Sequence, residues 1–480
     1  MIRSASSVRP DLTIIALLIT GLGGIFAAAS SGTALAFAIG LIVVGLLWAA
    51  ALRPEIATHL VAFALYTNAA IVAVQFHGVP GFAAQALLFL LVAPLGHALF
   101  LRKEPIVITP ALPWIGAFFI VQLLSAIGSS DPNVVAVEVQ AFFAEGLVLY
   151  VLITNVVRTS GALIRLTWVL LAAGASLGAL SAFQALTGSG DVYWGFAQVS
   201  GSRTSGPIGD PNYYAQVLLM VLPIGIVKSL TEPGFGHRPW ALACTIAIVL
   251  GILLTYSRGA AVGVAIVLVA MVLMRYVRTW HVVLIGIGIV FLLAAFPAYA
   301  GRLATLEAIG TFASGGLAAN DADGSVRSRT TENLAAFRTF AGHPLLGVGL
   351  GQFPQYYQQY ANEIGLQVHL TEREAHSLYL GLAAETGILG LITFFGALGV
   401  TLSSLRHARR DALIAGRPEL AHLAVAFSLA LIGYAVTGLF LHLAFARYFW
   451  FVLAVGGAVA SVTLGEVGTR RRGLPVNSLE

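Results

Sequence analysis

The sequence predicts an all-α membrane protein, a polytopic helical bundle of about fourteen transmembrane helices with a large, partly helical external loop. Of its 480 residues, 58% are hydrophobic and 10% are charged, whereas a soluble domain carries about 25% charged residues. Apolar runs of about 20 residues recur, and each can cross a hydrocarbon core about 30 Å thick. These runs lack the alternation of barrel strands, and a helix satisfies its own backbone hydrogen bonds in lipid. The predicted spans centre on residues 12–28, 33–51, 57–76, 82–101, 111–128, 138–157, 161–186, 212–230, 240–256, 259–275, 280–299, 377–404, 418–440 and 446–465.

The distribution of basic residues predicts the orientation of the bundle. If the N-terminus lies in the cytoplasm, most of the 26 Lys and Arg residues, including both lysines, fall in cytoplasmic segments. We therefore expect both termini in the cytoplasm. The first span follows Arg3 and Arg9, as the apolar part of a cleavable signal peptide would. The closely spaced spans after it favour a retained helix, and cleavage would leave the later orientation unchanged.

The cysteine content excludes an intramolecular disulfide, and the distribution of charge argues against nucleic-acid binding. The only cysteine, Cys244, lies in a predicted span, so no intramolecular disulfide can hold the external loops. The net charge of +5 comes from basic anchors at the cytoplasmic ends of helices, where they lie beside anionic lipid. Membrane lipid, and not nucleic acid, is therefore the expected partner of these residues.

The lengths of the connections divide the chain into four parts. Residues 1–300 form a bundle of eleven spans that includes an external loop at 187–211. The other parts are a long external loop at 301–376, three C-terminal spans at 377–465 and a cytoplasmic tail at 466–480.

The long external loop carries a helical pattern of its own. Leu334, Phe337 and Phe340 recur at helical spacing and predict an amphipathic helix. A glycine-rich stretch and a tyrosine-rich segment follow, at Gly347, Gly349 and Gly351 and at Tyr356, Tyr357 and Tyr360. The glycines could present backbone N–H groups to phosphate, although such glycines usually mark turns. The tyrosines could stack on sugar rings or lie at the membrane interface. An ordered loop of this kind is typical of a lid or a binding platform.

Three polar residues lie on the predicted outer face although they are far apart in sequence. Arg203 is in the first external loop, Arg258 is in a tight turn between two spans, and His376 begins the 377–404 span. A guanidinium group binds phosphate oxygens bidentately and stays charged, and histidine exchanges a proton near neutral pH. The same residues also fit helix caps and contacts with lipid headgroups.

Four motifs occur in order between residues 200 and 391. They are the segment from Gly201 to Asn212 with Arg203 and a closing Asp210-Pro211-Asn212, the turn Thr255-Tyr256-Ser257-Arg258-Gly259, Arg329 ahead of His343-Pro344-Leu345-Leu346-Gly347-Val348-Gly349, and the element from His376 to Gly390. Together they resemble the O-antigen ligase and polymerase superfamily of bacterial envelope glycosyltransferases. Three positions depart from the family pattern: Asp210 and Ser377 stand where Asn is usual, and Asn333 where Trp is frequent.

The resemblance implies a function and roles for these residues. Arg203 and Arg258 would hold the diphosphate of a polyprenyl (undecaprenyl) diphosphate-linked glycan, and His376 would deprotonate or orient the acceptor hydroxyl. The reaction would invert the anomeric carbon on the periplasmic side of the inner membrane. It would need no metal or other cofactor. The acceptor would be another glycan, lipid A core or a protein hydroxyl, so ligase, polymerase and protein glycosylation stay open.

Three further residues are secondary candidates for substrate binding or support. Arg329 and Arg338 could contact sugar or phosphate, or could instead pair with Glu332 or face water. Glu385 is favoured as the buried partner of an arginine over a catalytic role, and Glu145 also needs a partner.

Two other functional classes compete with a transferase. A transporter or flippase of envelope glycolipids would require broken helices with charges near the membrane midplane and similarity between halves. The charges here gather at the predicted outer surface, and no half-repeat is visible. A scaffold without activity would not need outward arginines beside a histidine that starts a helix.

Overall fold

The protein is described here by a computed structural model that covers residues 54–81, 87–187, 195, 198–201, 203–232, 234–277, 280, 324–365, 373–442 and 446–471. The predicted spans at 12–28 and 33–51 lie outside these residues, as do the predicted span at 280–299 except for residue 280 and most of the tail.

Helices make up nearly all of the described chain. The first group is α1 Pro54–Tyr66, α2 Ala69–His77, α3 Val92–Gly96, α4 Leu112–Ser125, α5 Pro132–Phe142, α6 Leu149–Val156 and α7 Ser160–Thr187. The second group is α8 Pro211–Thr231, α9 Gly234–Leu254, α10 Arg258–Leu273, α11 Gly324–Gly342, α12 Phe353–Ile364, α13 Leu378–Ile414, α14 Pro418–Thr437 and α15 Ala446–Arg471. Short 3₁₀ turns at Leu87–Leu91 and Ala126–Gly128 and π turns at His97–Leu101 and Phe143–Val148 extend or join these helices.

Seven described helices are long and apolar enough to cross a membrane, and an eighth span results if α1 and α2 count as one. The two halves of that span meet at 59°, at Asn68 with its positive φ of 60°. Three shorter apolar helices accompany them. The all-α, multi-pass architecture that composition predicts is therefore present. The count of fourteen spans stays a prediction.

Capping residues set the ends of the helices that surround the site. The Asp210 carboxylate accepts hydrogen bonds from the backbone N–H groups of Asn212 and Tyr213, at 2.7 and 3.1 Å. Pro211 occupies the first turn of α8, where a missing N–H costs nothing. Ser257 caps α10, and Ser377 caps α13. Asp210 and Ser377, which depart from the family pattern, thus act as N-caps.

Helix α15 lies in the middle of the bundle. It packs against α6, α13 and α14, and α8 packs against α9 and α14 on the adjoining side. Trp450 is fully buried among Phe118, Phe142, Phe394 and Phe449, with ring centroids 4.9–6.1 Å apart. This aromatic cluster fixes α4, α5 and α13 around α15.

A small β-hairpin interrupts the otherwise helical chain. Strands β1 Gln198–Ser200 and β2 Arg203–Gly206 pair antiparallel within the first external loop. The sequence predicted only a loop at 187–211. Gly206 adopts a positive φ of 54° against the ring of Tyr214, and a side chain there would collide with that ring.

The glycine-rich stretch of the long loop is built into a break in α13. Gly387 has φ 65° and ψ −165°, which is not helical and is a conformation essentially reserved for glycine. The segment from Pro344 to Gly349 lies in the break. Its hydrogen bonds run from Val348 N to Ala384 O at 3.0 Å, from Gly349 N to Glu385 O at 3.0 Å, from Ile388 N to Pro344 O at 2.9 Å and from Leu389 N to Leu345 O at 3.4 Å. The glycines therefore serve backbone pairing with α13.

The same loop is anchored to the α4–α5 connection through Gln352, which is fully buried. Its Oε1 accepts hydrogen bonds from the Ser130 hydroxyl at 2.7 Å and the Asp131 N–H at 3.0 Å, and its Nε2 donates to the Asp131 carbonyl at 3.1 Å. Packing and hydrogen bonds hold this loop, as expected without a disulfide.

The helix expected from Leu334, Phe337 and Phe340 is present as α11, but it packs by a different face. Ala335 and Ala336 are buried against α12, whereas the side chains of Leu334 and Phe337 are 41% and 54% exposed. Small residues let α11 approach its neighbours closely, so the large apolar side chains point away from the bundle. Tyr357 is buried in the same α11–α12 core and is thus unavailable for stacking on a sugar.

Candidate functional site

The candidate site lies where α8, α10 and α13 begin and α11 crosses over them. Asp210, Ser257 and Ser377 cap the three helices. The N-terminus of a helix carries a partial positive charge and free N–H groups, which favour anions. All four sequence motifs therefore contribute to one end of the bundle.

Arg203 joins the first two motifs. Its Nε donates a hydrogen bond to the carbonyl oxygen of Thr255 at 2.7 Å, and its Nη2 donates to Oδ1 of Asn212 at 2.8 Å. Thr255 lies three residues before Arg258, and Asn212 lies in the first turn of α8. Arg203 thus holds the Arg258 turn against the start of α8 and adds its own positive charge there.

Arg258 is the first residue of α10 and follows a strained turn. Tyr256 adopts a positive φ of 51°, which is uncommon for an aromatic residue. The Ser257 hydroxyl then accepts a hydrogen bond from the Ala260 N–H at 3.4 Å. This turn places the half-buried Arg258 at the helix end, beside the residues that Arg203 holds.

Arg329 on α11 shares this region with Arg258. Burial lowers the pKa of the Arg329 guanidinium, and the positive charge of Arg258 lowers it further. The negative charges of Glu332 and Asp210 act in the opposite direction on the same pKa. Arg258, Asp210 and Arg329 therefore belong to one electrostatic cluster, and a contact between Arg329 and substrate stays a prediction.

His376 faces the buried carboxylate of Glu332, a residue that the sequence suggested only as a partner for an arginine. His376 Nδ1 lies 2.6 Å from Glu332 Oε2, and the Glu332 side chain is fully buried. The Ser328 hydroxyl donates to Glu332 Oε1 at 2.9 Å. Burial alone would raise the pKa of Glu332, but the contact with His376, the hydrogen bond from Ser328 and the charge of Arg373 lower it below its usual value. The site therefore holds Glu332 as a carboxylate.

This contact places Nδ1 of His376, and not Nε2, against the carboxylate. A neutral histidine that donates Nδ1–H to Glu332 keeps Nε2 as its proton acceptor. Ser328, Glu332 and Arg329 share consecutive turns of α11, so one helix positions both the carboxylate and a guanidinium. A Glu near the predicted arginines was visible in the sequence, but its pairing with His376 depends on how α11 crosses α13.

His442 is a further residue of this region that sequence reasoning left without a role. Its ring contacts the hydroxyl of Tyr213 and lies edge-on to that ring, 5.1 Å between centroids. Burial, followed by the charge of His376, lowers the pKa of His442 to about 4. His442 is thus neutral at physiological pH. Isolated in the sequence between two spans, it carries no spacing signal that could have found it.

Two of the secondary candidates lie elsewhere. Arg338 forms an exposed ion pair with Glu363, with Nη1 2.9 Å from Oε2, which is a surface contact of small energetic weight. Glu385 lies at the break in α13, where its carboxylate accepts the N–H of Phe353 at 3.4 Å. We expected Glu385 to pair with an arginine, but its described contacts do not include one. Glu145 does have an arginine partner, because Nη1 of Arg447 lies 3.6 Å from Oε1 of Glu145.

Within the residues that the structure describes, no group of three or more His, Cys, Asp or Glu side chains is arranged to hold a metal ion.

Residues 243–395 match the family model described as O-antigen ligase, and no curated protein matches the chain significantly. The matched segment contains Arg258, Arg329, Glu332 and His376, and Arg203 precedes it. The resemblance that the motifs predict is therefore confirmed over residues 243–395 of this multi-pass membrane protein.

Proposed function

We propose that the protein is a membrane glycosyltransferase that moves a glycan from a polyprenyl (undecaprenyl) diphosphate carrier to an acceptor hydroxyl. It would act on the periplasmic side of the inner membrane, with both termini in the cytoplasm. The family match at residues 243–395 supports the reaction class. The observation that carries the mechanism is the 2.6 Å contact between His376 Nδ1 and the buried Glu332 carboxylate, beside the Arg258–Arg329 cluster.

The arginines supply the positive charge that a diphosphate leaving group needs. Arg258 lies at a helix N-terminus, where the helix dipole adds to its charge, and Arg329 faces it from α11. Arg203 is fixed by Thr255 and Asn212 and so orients the Arg258 turn. Charges placed in advance stabilise the developing diphosphate anion without reorganisation during the reaction.

His376 acts as the general base in this scheme. The acceptor oxygen attacks the anomeric carbon, and its proton passes to Nε2 of His376. The bond between that carbon and the diphosphate oxygen breaks, and its electron pair leaves with the carrier diphosphate. Glu332 holds Nδ1–H and stabilises the imidazolium that forms. Attack from the face opposite the leaving group inverts the anomeric configuration.

Purified protein in proteoliposomes, supplied with an undecaprenyl diphosphate-linked glycan and an acceptor, tests the proposal. His376→Ala should lower the transfer rate by roughly 10²–10⁴-fold, the usual contribution of a general base. His343→Ala is the matched control, because His343 is an exposed histidine of the same external loop. Equal rates for His376→Ala and the native protein, or carrier movement across the bilayer without transfer, would overturn the proposal.

The same variant in cells distinguishes the acceptors. Loss of long chains with single repeats retained indicates a polymerase. Full-length chains that stay on the carrier indicate a ligase, and loss of glycan from protein alone indicates protein glycosylation.

A further inference from the structure

A cavity of about 400 Å³ lies beside the site, between α4, α5, α13, α15 and the loop at Leu350 and Gly351. Its volume falls in the range of about 300–1,000 Å³ that is typical of ligand pockets. His442 lines its wall, and so does Glu374, which lies two residues before His376 in the chain. The cavity therefore reaches the neighbourhood of the proposed base.

The cavity differs from the arginine cluster in the side chains that line it. Glu138, Glu145, Glu374 and Glu385 line it, and Arg447 is the cation among its lining residues. Because Glu145 pairs with Arg447, the cavity offers no unpaired cation among its described lining side chains to hold a diphosphate. It suits a neutral ligand rich in hydroxyl groups, since carboxylate oxygens accept hydrogen bonds from hydroxyls.

Two buried polar atoms give an independent indication of a ligand. Gln122 and Trp450 line the cavity, and their side chains are 1% and 0% exposed. Among the described residues, the Gln122 Oε1 and the Trp450 indole N–H have no hydrogen-bond partner. Buried polar groups are normally paired, so such groups call for a ligand or ordered water. One accepts and the other donates, and a sugar hydroxyl can satisfy either.

We propose that this cavity is the acceptor pocket, which binds a neutral saccharide and presents its hydroxyl to His376. The inference rests on the proposed function and adds the chemical class of the acceptor. The diphosphate of the donor lies among Arg203, Arg258 and Arg329, and the saccharide of the acceptor lies among Gln122, Trp450 and the carboxylates. This separation of charge keeps the two substrates from exchanging places.

Saccharide binding, measured without transfer, tests the acceptor pocket. The probes are the neutral disaccharides chitobiose, maltose and lactose at millimolar concentrations, detected by saturation-transfer NMR on the full-length protein in detergent. Inorganic pyrophosphate is the donor-side probe. Gln122→Leu removes a polar atom that has no protein partner, so the variant should fold.

We expect Gln122→Leu and Trp450→Phe each to weaken saccharide binding by roughly 2- to 12-fold, the equivalent of one neutral hydrogen bond. Pyrophosphate binding should be unchanged in both and weakened by Arg258→Ala. Gln184→Leu is the control, because Gln184 is a buried glutamine of α7 that does not line the cavity.

The outcomes separate the two proposals. Absence of binding of all three disaccharides, or equal binding by Gln122→Leu and the native protein, would overturn the acceptor pocket even if transfer occurs. Saccharide binding that is weakened by Gln122→Leu in a protein without any transfer activity would support the site and overturn the proposed function.

Discussion

Replacement of Gly387 by alanine should detach the long external loop from α13. Gly387 combines φ 65° with ψ −165°, and a Cβ there would overlap the carbonyl oxygen of Leu345, far inside the 3.0 Å that real Cβ contacts respect. The backbone strain costs about 1–3 kcal/mol. Movement of the Leu345 carbonyl also disturbs the hydrogen bonds of Ile388 and Leu389, each worth about 0.5–1.5 kcal/mol. The total loss is on the order of 2–6 kcal/mol.

Gly399→Ala is the matched control on the same helix. Gly399 has no atom within 4 Å of a built Cβ, and alanine in a helix interior is more stable than glycine by roughly 0.5–1 kcal/mol. Thermal unfolding in detergent and hydrogen exchange of residues 343–351 report the effect. We expect a lower melting temperature and faster exchange only in Gly387→Ala. Equal stability and exchange in the two variants would refute the account of the break.

Three further predictions concern the site and its supports. Glu332→Gln should lower the transfer rate by roughly 10²–10⁴-fold with little change in donor KM, because His376 loses its fixed orientation. Arg338→Ala is the control and should leave steady-state rates unchanged. Equal rates for the two variants would contradict the role of Glu332 in positioning His376. His442, whose pKa is lowered from 6.5 to about 4 by burial and then by His376, should make the protein less stable as pH falls from 6.5 to 4, since the unfolded chain binds the proton first. The loss in the free energy of unfolding is roughly 3 kcal/mol. Thermal unfolding measured against pH should show a smaller loss in His442→Asn, and a pH profile equal to that of the native protein would contradict this role of His442. Gln352→Ala should cost about 2–4 kcal/mol through three lost hydrogen bonds, and limited proteolysis of residues 343–365 checks it; unchanged cleavage would show that the anchor is dispensable.

Most of the architecture could be predicted from the sequence because membrane spans depend on composition over long windows. The spans predicted at 161–186, 212–230 and 418–440 correspond to α7, α8 and α14. The break in α13 was not predicted, because a glycine such as Gly387 is also common in an unbroken membrane helix. Only the contact with the loop segment that fills the break distinguishes it. The β-hairpin was missed for a similar reason, since strands of three and four residues give almost no periodic signal.

The candidate site was predictable where charged residues lie at helix ends in a recognisable order. Arg258 begins α10, as its motif suggested, and His376 lies directly before Ser377, the N-cap of α13. The pairing of His376 with Glu332 and the place of His442 depend on contacts between segments far apart in the chain. No spacing within one segment encodes such contacts, and without them the sequence left Glu332 as a partner for arginine.

The central position of α15 has a consequence for biosynthesis. Arg447 at its start donates to Oδ1 of Asn68 at 2.6 Å, which joins the last described helix to the junction of the first two. The ribosome makes α15 after every other described helix, so the groove that it fills stays open while the preceding helices are already in the bilayer. The aromatic cluster around Trp450 and the contact between Arg447 and Asn68 can therefore form only after translation has passed α15.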